Sequence, residues 1–172
     1  MDFNRALEFA RDKHEDTDDR KGTGLPYITH PEAVAGILRD LGFGTDHQIA
    51  GLFHDLLEDT DATEKEILDY GNPEILEAVK LVTKDGSDTA SYIEGISRNK
   101  MAAAVKIADR IHNLSDSIEH PDHDWQKRYL EESEKYYMKL AEMEYDANGK
   151  SGQLFLDCFL EKLNLLKDYL GD

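Results

Sequence analysis

His54 and Asp55 stand side by side in the apolar stretch Ala50-Gly51-Leu52-Phe53-His54-Asp55-Leu56-Leu57. Together they offer an imidazole nitrogen and a carboxylate oxygen to a metal ion. Glu58 and Asp59 follow one helical turn later. Residues four apart share a helix face, so this spacing stacks Glu58 over His54 and Asp59 over Asp55. A metal-binding pair beside an acid pair is what metal-assisted hydrolysis needs. The ligands hold the ion, while the carboxylates position water or carry its protons.

Two other segments extend the set. Upstream, Pro26-Tyr27-Ile28-Thr29-His30-Pro31 places a histidine just before a proline that opens an apolar-periodic run. Downstream, Val105-Lys106-Ile107-Ala108-Asp109-Arg110-Ile111-His112-Asn113 carries an aspartate among apolar neighbours. Burying Asp109 unpaired there would be costly, and a metal removes that objection. Two imidazoles and two carboxylates suit Mn²⁺, Fe²⁺, Co²⁺ or Zn²⁺ better than Ca²⁺ or Mg²⁺, which prefer oxygen shells.

Through Arg20-Lys21, Gly24 to Pro31, Ala50 to Thr60, Val82-Thr83-Lys84 and Val105 to Asn113, the chain resembles the HD phosphohydrolase superfamily. Within it the likeness is to the alarmone-hydrolase branch of the RelA/SpoT-type proteins, including the stand-alone small alarmone hydrolases. It runs from about Ala6 to about Ser117. The resemblance implies a divalent metal, Mn²⁺ foremost, held by His30, His54, Asp55 and Asp109. It implies that Glu58 orients or deprotonates the attacking water and that Asp59 assists proton transfer. Arg20 would stack on a purine, Lys21 would meet a phosphate, and Asn113 would contact the nucleoside or hold the ligand helix. The implied reaction removes the 3′-pyrophosphate of guanosine tetra- or pentaphosphate, giving GDP or GTP and pyrophosphate.

The chain departs from the branch in two places. The stretch from Arg20 to His30 is one residue longer than usual, and Leu114-Ser115-Asp116 follows Asn113 where an Arg or Thr is common. Asp116 would repel phosphate if it faced the site. Tyr136 and Tyr137 lie where the family has a tyrosine near the nucleotide, and a core or rim aromatic fits them equally. His14, His47, His112, His120 and His123 are placed outside the metal shell, His112 because it lies off the Asp109 face. The pair His120/His123 is assigned to an exposed loop. Two rival readings stand beside the alarmone one: a phosphohydrolase for another nucleotide or phosphorylated metabolite, and a noncatalytic nucleotide-sensing module. The complete acid and ligand set argues against the latter.

With 172 residues, 40% of them hydrophobic, the chain has room for one domain spanning residues 1–172 with a real core. The apolar runs are too short to cross a bilayer, and Met1 to Arg5 lacks the plan of a signal peptide. The lone Cys158 fits a reducing cytoplasm and a place in the core of the last helix. A net charge of −17 argues against nucleic-acid binding. A polyanionic nucleotide is reconciled with that charge locally, because Arg20, Lys21, Lys106 and Arg110 lie in or beside the motifs. The acid runs Glu131-Glu132 and Glu142 to Asp146 read as solvated faces. Oligomeric state is not legible.

The elements that must position these groups are helical almost throughout, giving an all-α bundle of roughly eight to ten helices with negligible strand signal. Helices are expected over Phe3 to His14, Pro31 to Arg39 with Pro31 first, and from a Thr45 or Asp46 cap through His54-Asp55. Thr63 with Glu66 forms a capping box for a helix ending near Tyr70-Gly71. Pro73 to Val82, Thr89 to Ile96, Asn99 to Ser117, Trp125 to about Tyr145 and Leu154 to Leu170 complete the set. Asn148 to Gly152 reads as a turn.

Overall fold

The computed structural model describes residues 1–20, 23–143 and 150–171, and no β-strand occurs among them. The helices are α1 (Phe3–Lys13), α2 (Thr29–Asp40), α3 (Thr45–Phe53), α4 (Leu56–Asp59), α5 (Glu64–Tyr70), α6 (Pro73–Val82), α7 (Thr89–Ile96), α8 (Lys100–Ser117), α9 (His123–Glu132), α10 (Met138–Ala141) and α11 (Lys150–Leu170). A π-helical turn, Ser133–Tyr137, joins α9 to α10.

The axis of the bundle is α8, which packs on α2, α3, α6, α7, α10 and α11. Every residue from Ala102 to Ile111 is buried, so the helix is enclosed on all sides. The alanines at 102, 103, 104 and 108 let the neighbours approach closely, and Lys106, Asp109 and Arg110 are carried into the interior with them. Asn99 starts the helix by accepting a hydrogen bond from the Ala102 backbone N–H at 3.0 Å.

Against α8 lie α2 and α3, which also pack on each other. Gly51 makes that contact possible, since a Cβ there would stand 2.8 Å from Leu38 Cδ1 and 3.4 Å from the Ala35 Cα. Around this junction Val34, Leu38, Ile49, Leu52, Phe53 and Leu56 are fully buried. The packing holds the chain rigidly where His54 and Asp55 leave α3.

Several boundaries move relative to the sequence reading. A turn in which the Thr29 and His30 N–H groups bond to the Pro26 and Tyr27 carbonyls starts α2 two residues before Pro31. His30 therefore sits in the first helical turn rather than in a loop. The N-cap of α3 is Gly44, with no side-chain cap from Thr45 or Asp46. The helix stops at Phe53, and α4 begins at Leu56, so no continuous helix stacks Glu58 over His54. The Thr63/Glu66 capping box forms as expected. Asp122 caps α9 through the Trp125 N–H at 2.9 Å, which starts that helix at His123. It runs through the π-turn to Ala141, and the expected stretch to Tyr145 lies partly outside the described residues. Of the expected turn at 148–152, residues 150–152 belong to α11 and the rest lies outside them.

Candidate metal centre

Three pieces of the fold deliver four polar atoms to one point. His30 comes from the first turn of α2, His54 and Asp55 from the break between α3 and α4, and Asp109 from the middle of α8. The two imidazole Nε2 atoms are 3.2 Å apart. Asp109 Oδ1 lies 3.1 Å from His30 Nε2 and 3.8 Å from His54 Nε2. Asp55 Oδ2 lies 3.0 Å from His54 Nε2 and 3.7 Å from His30 Nε2. With metal–ligand bonds of about 2.0–2.2 Å, neighbouring ligand atoms stand roughly 3.0–3.5 Å apart. The observed spacings bracket that range.

The protonation pattern gives the same answer. His54 Nδ1 is 2.7 Å from the Gly51 carbonyl, which can only accept, so Nδ1 holds the proton and Nε2 presents a lone pair. His30 Nδ1 faces His112 Nδ1 at 2.9 Å. If His30 donates across that contact, its Nε2 is bare as well. Two bare nitrogens and two carboxylate oxygens at these distances repel one another unless a positive charge stands among them. Burial works against a charged His54, yet the Asp55 and Asp109 carboxylates outweigh it and raise its pKa to about 9. The carboxylates that favour a proton there would favour a metal ion in its place. His30, His54 and Asp109 are all buried and form a compact group able to hold an ion. The residues present fit a divalent metal.

The surroundings fix the orientation of each donor. Lys106 Nζ bonds Asp109 Oδ2 at 2.7 Å, leaving Oδ1 for the imidazoles. Although burial opposes charge, Lys106 and then His30 keep the Asp109 carboxyl far below the usual carboxylate range. Burial and the neighbouring His30 push His112 down to about 4, so it is a neutral partner for His30. Asn113 donates to Asp109 Oδ1 at 2.5 Å and accepts from Arg20 Nη2 at 2.8 Å. The same Arg20 nitrogen bonds Asp116 Oδ2 at 2.7 Å.

Beside the cage opens a cavity of about 930 Å³, lined by Asp16 to Arg20, Tyr27 and Asp59 on one side. Asn113, Asp116 and Ser117 of α8 and the aromatic residues His120, Trp125 and Tyr129 form the other. Trp125 stacks with His120 (4.1 Å) and with Tyr129 (4.7 Å). Asp59 borders the cavity, and its Oδ2 takes a 2.7 Å contact from the Tyr27 hydroxyl. Glu58 is exposed, and one of its oxygens accepts from the Lys84 N–H at 3.3 Å.

The structure thus brings His30, His54, Asp55 and Asp109 together and sets Asp59, Arg20 and Asn113 around them. Lys21 lies outside the described residues. Other expectations change. Lys106 and Arg110 add no free positive charge, since Lys106 is bound to Asp109 and Arg110 sits between the Tyr129 and Tyr137 rings at 4.1 and 3.5 Å. Asp116 does face the cavity, but Arg20 neutralises it. His120 belongs to the cavity wall rather than to a free loop. Sequence reasoning missed His112, Tyr27 and Trp125. The i,i+3 spacing of Lys106 and Asp109 was readable, whereas the His30–His112 contact joins residues 82 apart and carries no local signal.

Known proteins resemble this chain in sequence and in fold. Residues 6–144 match the family model described as HD domain. A protein of Synechocystis sp. called probable guanosine-3′,5′-bis(diphosphate) 3′-pyrophosphohydrolase is 36% identical over 149 residues, covering 80% of this chain and 19% of its own length. A Mycobacterium leprae protein called probable GTP pyrophosphokinase is 35% identical over 120 residues, covering 64% of this chain and 15% of its own. The chain therefore spans less than a fifth of these curated relatives. A solved structure described as a metazoan ortholog of SpoT that hydrolyzes ppGpp superposes with a TM-score of 0.75. It covers 95% of this chain and 96% of that one at 22% identity, a likeness of fold. A family match running from α1 past α10, on a frame that is helical and strand-free among the described residues, settles the membership: this chain belongs to the HD domain family.

Proposed function

We propose that this chain is a metal-dependent phosphohydrolase that removes the 3′-pyrophosphate from guanosine tetra- or pentaphosphate, releasing GDP or GTP and pyrophosphate. The observation that carries the reading is the pair of imidazole nitrogens 3.2 Å apart with Asp55 and Asp109 oxygens 3.0–3.8 Å from them, beside a cavity of nucleotide size. The name carried by the Synechocystis relative supports the choice of substrate.

His30, His54, Asp55 and Asp109 hold the ion, Mn²⁺ foremost among the first-row metals that the donor set suits. When bound, such an ion polarises a phosphoryl oxygen and lowers the pKa of a water. Glu58 has a carboxylate oxygen without a partner among the described residues and takes the proton of the attacking water. Asp59, at the cavity edge, assists the transfer of that proton from Glu58 to the departing 3′ oxygen. Asn113 keeps Asp109 in place and ties it to Arg20. Because Arg20 is shared with Asp116, a base meets the aromatic wall of His120, Trp125 and Tyr129 rather than the guanidinium. The carboxylates of Asp16, Asp18 and Asp19 oppose phosphate at their own wall, so the reacting phosphates lie at the cage.

The acid-lined wall favours one second reading, a phosphohydrolase for a less charged nucleotide such as a nucleoside monophosphate. A panel assay with Mn²⁺-loaded protein separates the two. Guanosine tetraphosphate should give GDP and pyrophosphate while GDP is left intact. Phosphate release from monophosphates, with the alarmone untouched, would establish the second reading instead.

A further inference from the structure

Tyr27 occupies a position that the hydrolytic scheme above does not use. Its hydroxyl lies 2.7 Å from Asp55 Oδ2 and 2.7 Å from Asp59 Oδ2, bridging a residue of the cage to the carboxylate at the cavity edge. The same Asp55 oxygen is the one that faces the two imidazoles. Tyr27 sits just before α2, fixed by the turn that leads into His30. Its ring lies on the buried His14 imidazole, with centroids 5.0 Å apart and planes 28° from parallel. Both His14 nitrogens are buried without a hydrogen-bond partner, so what His14 contributes here is a flat surface that limits how the Tyr27 ring can move.

A phenol has one proton to donate, and two carboxylates compete for it. Neither contact is dispensable to the geometry, because without the hydroxyl Asp55 and Asp59 face each other with nothing between. We propose that Tyr27 is a positioning residue of the phosphohydrolase centre: its hydroxyl straps the metal ligand Asp55 to Asp59, so that the cage sets the placement of Asp59. A carboxylate oxygen that binds a cation keeps a lone pair for the hydroxyl, so the strap persists when the cage fills and holds Asp59 beside the ligand. The placements of Asp55 and Asp59 are then coupled through a single hydroxyl. The inference rests on the metal-centre reading, not on the identity of the nucleotide.

The test removes only the hydroxyl. Tyr27→Phe keeps the ring on His14, and Mn²⁺ affinity is read by competition with a chromophoric chelator, with no substrate present. Groups that orient metal ligands from outside the shell typically matter by about 10–100-fold, and Tyr27→Phe should weaken Mn²⁺ binding within that range. Unchanged affinity overturns the strap. A kinetic cycle with Asp59→Asn, using guanosine tetraphosphate at saturating Mn²⁺, then asks whether Tyr27 acts through Asp59. In the wild-type background Tyr27→Phe should lower kcat about 10–100-fold with KM nearly constant. In the Asp59→Asn background the same change should cost less than about threefold. Losses that multiply fully across the two backgrounds overturn the coupling. Should the wild type leave the alarmone uncleaved, the proposed substrate fails while the chelator competition still decides the strap.

Discussion

The cage and the cavity wall are built on opposite principles. The cage residues come from α2, the α3–α4 break and α8, elements packed on one another around Gly51 and the alanines of α8. His30, His54 and Asp109 are 1%, 2% and 5% exposed, and each has a fixed partner behind it: His112, the Gly51 carbonyl and Lys106. The wall, by contrast, is a loop from Asp16 to Arg20 whose aspartates are exposed, facing the α8–α9 corner and tied to it through Arg20. On the proposed function, chemistry falls to the packed helices and recognition to surfaces that can change without disturbing the core.

If that division is right, substitutions in the cage should abolish the ion and those in the wall should tune the substrate. The largest effect is expected from His54→Ala and Asp109→Ala, each of which removes one of four donors. Both should lose stoichiometric metal and all measurable turnover while circular dichroism stays helical. Unchanged metal content by elemental analysis would dismantle the cage.

Next comes Lys106→Met, which leaves the buried Asp109 carboxylate without its 2.7 Å partner. Breaking one side of a buried ion pair costs about 3–5 kcal/mol. Denaturant unfolding of the metal-free protein should show a loss of that size, and added Mn²⁺ should recover part of it. A loss below about 1 kcal/mol would mean that the pair is not the counterweight described.

Glu58→Gln and Asp59→Asn test the boundary between the two regions. Both keep shape and should retain the metal, while turnover falls by roughly 10²–10⁴ if each handles a proton. Normal turnover in either variant returns that residue to an ordinary acidic helix end.

The smallest effects belong to the wall. Arg20→Ala should raise KM about tenfold with kcat little changed, because it leaves the Asp116 carboxylate unneutralised at the cavity wall, outside the reacting atoms. Asp116→Asn removes the carboxylate that competes for Arg20 and should lower KM for a polyanionic nucleotide about two- to fivefold. Steady-state kinetics on both variants would sharpen the contrast, and an unchanged KM in both would remove Arg20 from recognition.

The same contrast governs what could be read in advance. The helical class and most helix limits were legible because they rest on local chemistry: the Thr63/Glu66 box, Pro73 behind the Asn72 cap, and Asn99 at the start of α8. His30, His54, Asp55 and Asp109 could be picked out because imidazoles and carboxylates in apolar helices need a reason to be there. What stayed hidden depends on long-range packing. The break after Phe53 reflects how α3 meets α2 and α8, and the turn at Tyr27 pulls His30 into α2 ahead of Pro31. The fate of the nearby cations was also hidden, since Arg110 finds two tyrosines and Glu132 about one bundle layer away in sequence terms. A charge near a motif is not a charge in a site.

The central claim is that two imidazole nitrogens and two carboxylates share one ion. Pulsed electron paramagnetic resonance of the Mn²⁺-loaded protein reads this directly, through the modulation that coupled ¹⁴N nuclei impose on the manganese signal. The cage predicts two histidine nitrogens in the wild type and one in His30→Ala where that variant still holds manganese under excess metal. An all-oxygen environment, with no nitrogen coupling in the wild type, would contradict it.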